Sequence, residues 1–209
     1  MSGQSHYFND DPNLAHDPRT FMFYYKEHAL RLTSDSGVFS HGHADPATAL
    51  LLKYIPALQG SLLDPGCGCG VIGIALAKAY DLQVTLADVN PRALACAEIN
   101  CRENGVQAGI ILSDCFENIA GSFDTITLNP PIHAGKEVVL RLFQGAKAHL
   151  NPGGSFYVVM LDKHGAAGAA ARLAEIFGAC ETLYKKKGVR VLRCTPSAQT
   201  TPRSSAGDT

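Results

Sequence analysis

The sequence has no surplus of charge of either sign, no long apolar run and no cysteines in metal-binding spacing. Lys plus Arg number 18 against 19 for Asp plus Glu, a formal net charge of −1 in 209 residues. Phosphate contacts dominate nucleic-acid affinity, so binders of nucleic acid are often basic overall. Any contact with RNA must here be local. Lys185, Lys186, Lys187, Arg190 and Arg193 form one basic cluster, equally readable as a solvated edge hairpin. No apolar stretch reaches the ~18 residues of a membrane span, and Met1 to Asp11 is polar rather than the apolar core of an export signal. A cytoplasmic chain with no membrane partner is the expectation. The 7 cysteines are scattered: Cys67 and Cys69 sit in a glycine turn, while Cys96, Cys101, Cys115, Cys180 and Cys194 stand alone. Zinc sites use close pairs or Cys/His sets, so no metal is expected, and the thiols read as reduced and mostly buried.

What is present is a strong rhythm. With 46% hydrophobic and 18% charged residues the chain can fill one ordinary domain core. From residue 61 onward, short β-branched runs alternate with segments of helical spacing. Strands are expected over 61–64, 83–88, 108–112, 123–129, 155–161, 179–184 and 189–194, and helices over 70–80, 91–104, 136–150 and 165–177. Pro91 in a first turn and Gly105 just past a helix end are matching punctuation. Strands with almost no polar alternation, separated by helices, predict a parallel sheet covered on both faces. The last two strands are close enough for an antiparallel hairpin. The fold class is therefore α/β, doubly wound and Rossmann-like, with a mostly parallel sheet in three layers. Residues 1–20 read as a flexible leader, 21–194 as a single domain with core 61–194, and 195–209 as a disordered tail. Within 21–60 the pattern is extended, with a Ser34-Asp35-Ser36-Gly37 turn, then helical over 45–55.

The sharpest local signal is Leu62-Leu63-Asp64-Pro65-Gly66-Cys67-Gly68-Cys69-Gly70-Val71-Ile72-Gly73, a strand running through a glycine turn into a helix. Gly66, Gly68 and Gly70 let the backbone approach a ligand closely. The Gly68 to Gly73 spacing also satisfies the dinucleotide pattern, a weak signal alone. Asp64, immediately before the turn, separates the two ligands: a carboxylate there repels a pyrophosphate but suits the cationic amino-acid end of S-adenosylmethionine. Asp88 ends the next strand, where an acid accepts ribose hydroxyls. Asp114 follows the third strand, with Cys115 and Phe116 beside it, a position suited to the adenine amino group.

The fourth strand ends in Leu128-Asn129-Pro130-Pro131-Ile132-His133. Two prolines cannot continue a strand, so Asn129 is held at the sheet's C-terminal edge, where open α/β sheets bind ligands. A planar NH2 group is a poor nucleophile because its lone pair is delocalised. The Asn129 side-chain oxygen and the Pro130 carbonyl are placed to accept both N–H bonds and turn that lone pair toward a methyl donor, by positioning and electrostatics.

With these pieces in place, residues from about His6 to Cys194 resemble the methyltransferase small domain family, which includes the RsmC-type enzymes that methylate guanine N2 in small-subunit ribosomal RNA. The resemblance rests on His6-Tyr7-Phe8, Ser36-Gly37-Val38-Phe39-Ser40, the Asp64–Gly70 loop, Asp88, Asp114 and Asn129-Pro130-Pro131. It implies S-adenosylmethionine as cofactor, a seven-stranded sheet, an RNA partner, and a stand-alone single-domain type in which 21–60 caps the cleft, with Phe39 touching cofactor and substrate. Ile132 stands where many relatives stack an aromatic ring on the base, and Ala47 where glycine is usual. Ile132, His133 and Phe39 are the expected substrate contacts, with His41 and His43 nearby. A protein glutamine amide poses the same NH2 problem, and a small-molecule acceptor or a non-catalytic assembly role are the other readings.

Overall fold

The computed structural model describes residues 14–161, 166–186 and 188–196. A hairpin of β1 (Arg19–Tyr25) and β2 (His28–Ser34) comes first, followed by α1 (Pro46–Tyr54). Then come β3 (Gly60–Pro65), α2 (Val71–Ala79), β4 (Leu82–Asp88), α3 (Pro91–Glu103), β5 (Ala108–Leu112) and β6 (Phe123–Leu128). A 3-10 turn (Ile132–Ala134) leads to α4 (Lys136–Ala148), β7 (Leu150–Leu161), α5 (Ala166–Phe177), β8 (Gly178–Lys186) and β9 (Val189–Pro196). The large sheet has seven strands in the order β5-β4-β3-β6-β7-β9-β8. β3 to β7 run parallel, and β9 and β8 are antiparallel. The chain reverses its winding direction between β3 and β6, and a crevice opens there at the strands' C-terminal ends.

Alternate strand residues feed two cores. Leu62, Val84, Leu86, Tyr157 and Val159 pack under α1, α2 and α3, while Leu63, Ile126, Leu128, Phe156 and Val158 pack under α4 and α5. This three-layer arrangement matches the expected architecture. Helix starts follow local chemistry. Asp45 caps α1 by accepting the Thr48 N–H at 3.1 Å, and Asn90 caps α3 through the Arg92 N–H at 2.9 Å, each with proline in the first turn.

The hairpin is tied to the core by two asparagines, one on α3 and one at its C-terminal cap. Asn100 accepts the Thr33 N–H (2.7 Å) and donates to the carbonyls of Thr33 and Cys69 (both 2.8 Å). Asn104, one turn on, bonds the backbone of Arg31 in the same manner. Fully buried Asn100 thus satisfies a strand edge and the glycine turn together.

Several expectations change. Arg19 and Thr20 belong to β1, and Arg92 donates to the Leu14 carbonyl while Asp35 accepts from His16 and the Asp17 N–H. The leader therefore does not extend to residue 20. Residues 1–13, including His6-Tyr7-Phe8, lie outside the described residues, as do 197–209 of the expected tail and Lys187; Thr195 and Pro196 belong to β9. Cys180 and Cys194 do not stand alone as reduced thiols. They face each other across β8 and β9 and form a disulfide, with Cα atoms 4.1 Å apart. Spacing in sequence hid this pairing, which the hairpin register creates.

Candidate functional site

A cavity of about 820 Å3 lies at the C-terminal edge of the sheet, over the switch between β3 and β6. Its wall combines the glycine turn (Gly66, Gly68), the β4 end (Asp88, Val89, Asn90), the β5 end (Ser113, Asp114, Cys115) and 129–134 after β6. Phe39, Ser40, His41, His43, Asp45 and Ala47 close it from the N-terminal segment.

The glycine turn is shaped by hydrogen bonds to β4. The N–H groups of Gly66 and Cys67 both donate to the Ala87 carbonyl, at 2.7 and 3.0 Å. Gly66 and Gly68 hold φ of 71° and 56°, the left-handed region that L side chains resist, yet a Cβ at either would meet nothing within 4 Å. Their requirement is conformational, and the space beside them is open to a ligand. Gly70 differs: it starts α2 at φ 86°, and a Cβ would press on Ile74, Leu86 and Ala97. It serves helix–strand packing and does not line the cavity.

The three strand-end acids have separate surroundings. Asp88 lines the cavity, with Oδ2 accepting the Gly68 N–H at 2.8 Å and Oδ1 the Asn90 N–H at 2.9 Å. The Val89 N–H also lies against this carboxylate, and burial, the largest influence, raises its pKa. Asp64 is not in the wall. It is buried beneath the turn, accepting the Gly73 N–H (3.1 Å) and the Thr127 hydroxyl (3.2 Å). Burial pushes its carboxyl up to about 7, with the Asp88 charge adding. Asp114 is half exposed at the rim and accepts from Arg141 Nη1 at 3.1 Å, while Arg141 also pairs with Glu117. Of the two residues beside it, Cys115 lines the cavity, and burial raises its thiol to about 11, leaving it neutral. Phe116 turns away to pack against His149, with ring centroids 4.9 Å apart.

Asn129, Pro130, Pro131, Ile132 and His133 all reach the cavity, and so does half-exposed Phe39. The Pro130 carbonyl already accepts the Ile132 N–H at 2.9 Å, which leaves it one lone pair. Asn129 Nδ2 donates to Asp45 Oδ2 (2.9 Å) and to Thr48 Oγ1 (3.0 Å). Both amide hydrogens are engaged, so the amide orientation is fixed by its network, and no described residue donates to Oδ1. Sequence reading missed Asp45 and Thr48 as parts of the site. Their trace in the sequence was the Asp45-Pro46-Ala47-Thr48 stretch, noted only for Ala47 standing where glycine is usual, which does not point to a partner 84 residues away.

An adenosine-bearing ligand without phosphates fits these residues. The cavity is of small-molecule size, the partly buried Asp88 carboxylate stands on its wall, and the glycine turn offers open backbone with no anion-binding side chain.

The methyltransferase small domain family model matches residues 29–193. The chain is 36% identical over 194 residues to the uncharacterized protein YbxB of Bacillus subtilis (strain 168), covering 90% of this chain and 96% of that one. It is 44% identical over 128 residues to the ribosomal RNA small subunit methyltransferase C of Shewanella loihica, covering 59% and 37%. Among solved structures it resembles the T. thermophilus 16S rRNA N2 G1207 methyltransferase (RsmC) in complex with AdoMet and guanosine. The TM-score there is 0.79 at 28% identity, covering 90% of this chain and 53% of that one. The chain thus spans about half the length of the ribosomal RNA methyltransferases it matches or less. Fold, cavity chemistry and the match over 29–193 agree, and the chain belongs to the methyltransferase small domain family of S-adenosylmethionine-dependent methyltransferases.

Proposed function

We propose that this chain methylates the exocyclic N2 amine of an unpaired guanine in small-subunit ribosomal RNA, in the cytoplasm. The observation that carries the reading is Asn129. Its amide hydrogens are both held by Asp45 and Thr48, so it meets the cavity as an acceptor, which is what an NH2 substrate requires. S-adenosylmethionine, when bound, supplies an electrophilic methyl group on a sulfonium.

The residues of the chain do the rest. Asn129 Oδ1 and the second lone pair of the Pro130 carbonyl accept the two N–H bonds of the amine, and Pro131 stops the strand so that both stay in place. Asp88 accepts the ribose hydroxyls, Asp114 the adenine amine, and the open backbone of Gly66 and Gly68 takes the remainder of the cofactor. Asp64 and Gly70 support the turn from below and from the helix side. Phe39, Ile132 and His133 contact the base from the cleft rim, with residues 21–60 as the cap. Val138, Leu142, Val159 and Leu161 line the cavity with apolar groups and lower the local dielectric, which strengthens each polar contact.

The test is methyl transfer from isotope-labelled S-adenosylmethionine into extract of cells lacking the protein, followed by digestion. Label released by ribonuclease as N2-methylguanosine is expected. Label that follows protein overturns the reading in favour of a glutamine amide, and label in small solutes points to a small-molecule acceptor.

A further inference from the structure

Asp45 uses one carboxylate oxygen twice and leaves the other open. Its Oδ2 accepts the Thr48 N–H that caps α1 and the Asn129 amide at 2.9 Å. No described residue donates to Oδ1, and Asp45 stands in the cavity wall. Asn129 is in the same condition, with Nδ2 fully engaged and Oδ1 without a donor among the described residues. Two open acceptors therefore occupy adjacent side chains that are tied to each other. A ligand that desolvates them without donating to both would leave an acceptor unpaired, which is costly.

Resting on the N-methyltransferase reading, we infer that Asp45 selects the base: its Oδ1 accepts the ring N1–H of guanine while Asn129 Oδ1 accepts an N–H of the neighbouring 2-amine. Guanine presents these two donors side by side. In adenine and cytosine the ring nitrogen beside the amine is an acceptor, and its lone pair would face the carboxylate. A side-chain amide places a carbonyl oxygen beside its NH2 and meets the same repulsion. The carboxylate thus rejects wrong amines as well as holding the right one. Because N1–H and N2–H belong to the Watson–Crick edge, the target must be unpaired or turned out of a helix.

2-Aminopurine separates the two contacts, since it keeps the 2-amine but has an acceptor at N1. The experiment compares kcat/KM on two synthetic oligoribonucleotides spanning the labelled site, one with guanine and one with 2-aminopurine at the target. The wild-type protein should favour guanine by about tenfold to a hundredfold, the range of one good base contact. Asp45→Asn keeps an oxygen for the cap and for Asn129 and turns its NH2 toward the base. That variant should level or invert the preference. Thr48→Val, which removes one of the two holds on Asn129, should lower kcat on both oligonucleotides and leave their ratio unchanged. Equal wild-type rates on the two oligonucleotides overturn the inference whatever the variants do, while leaving the methyltransferase reading intact. So does an unchanged ratio in a cofactor-binding Asp45→Asn protein. Label confined to protein overturns both.

Discussion

Asp64→Asn replaces a buried carboxyl group whose pKa rises from the usual 3.8 to about 7, chiefly through burial. In the folded chain the proton is held up to about pH 7; in the unfolded chain it leaves near pH 3.8. Between those values the fold binds more protons than the unfolded state, so stability must fall as pH rises. The contribution is complete below pH 3.8 and is gone above about pH 7. At 1.36 kcal/mol per pH unit, the interval is worth about 4 kcal/mol, of which about 2–3 kcal/mol falls between pH 5 and pH 8. Asparagine does not titrate, and its amide can still accept from Gly73 N–H while donating to Thr127. Urea unfolding of the cofactor-free protein at pH 5 and pH 8 should therefore show a loss in the wild type that is smaller by about 2–3 kcal/mol in Asp64→Asn. Asp88 is also raised by burial, but it is present in both proteins and largely cancels in the difference. Parallel pH profiles for the two proteins would refute the assignment of a neutral, buried Asp64. A corollary concerns the cofactor, whose sulfonium and ammonium groups favour an ionised acid beneath the turn. Binding near pH 7 should release protons, visible as a buffer-dependent calorimetric enthalpy that Asp64→Asn diminishes.

Asn129→Ala should leave cofactor affinity within a few-fold while lowering turnover by about 10² or more, the scale of one preorganised polar contact; an unchanged rate in the labelled-methyl assay contradicts its placement. Asp88→Ala should weaken cofactor binding by about 1–3 kcal/mol, as expected for lost hydrogen bonds to a charged group, and calorimetric titration reads this directly. Gly68→Ala places a methyl group in open space at a φ of 56°, so the fold should lose only about 1–2 kcal/mol. Its cofactor affinity should fall further than its melting temperature implies; a loss of stability alone would mean the open side of the turn faces no ligand.

How much of this was legible in the sequence depended on whether a signal was local. The parallel strands could be read because residues such as Val84, Leu86 and Ala87 are buried together in β4, and the helix after it because Pro91 and Gly105 punctuate its two ends. The glycine turn was legible for the same reason, but the fate of each acid around it was not. Asp64 and Asp88 both end strands, and only the three-dimensional path of the turn puts one beneath the loop and the other on the cavity wall. Phe116 follows Cys115 in sequence, yet the positive φ of Cys115 (50°) accompanies a turn that sends the ring to His149. The Cys180–Cys194 pairing depends on the β8–β9 register, which carries an irregularity between Thr182 and Tyr184 that no spacing rule anticipates.

Asp45 was hidden for a different reason. A capping aspartate before proline is fully accounted for by its helix, so nothing local signals that the same oxygen also orients an amide from another strand. That double use has a functional consequence. The α1 start and the β6 end are joined through one carboxylate, so the acceptor array at the cavity is fixed by the same contact that begins a helix. Asn129 therefore takes its orientation from the chain itself: Asp45 and Thr48 hold both of its amide hydrogens, and an amine entering the cavity meets acceptors already turned toward it.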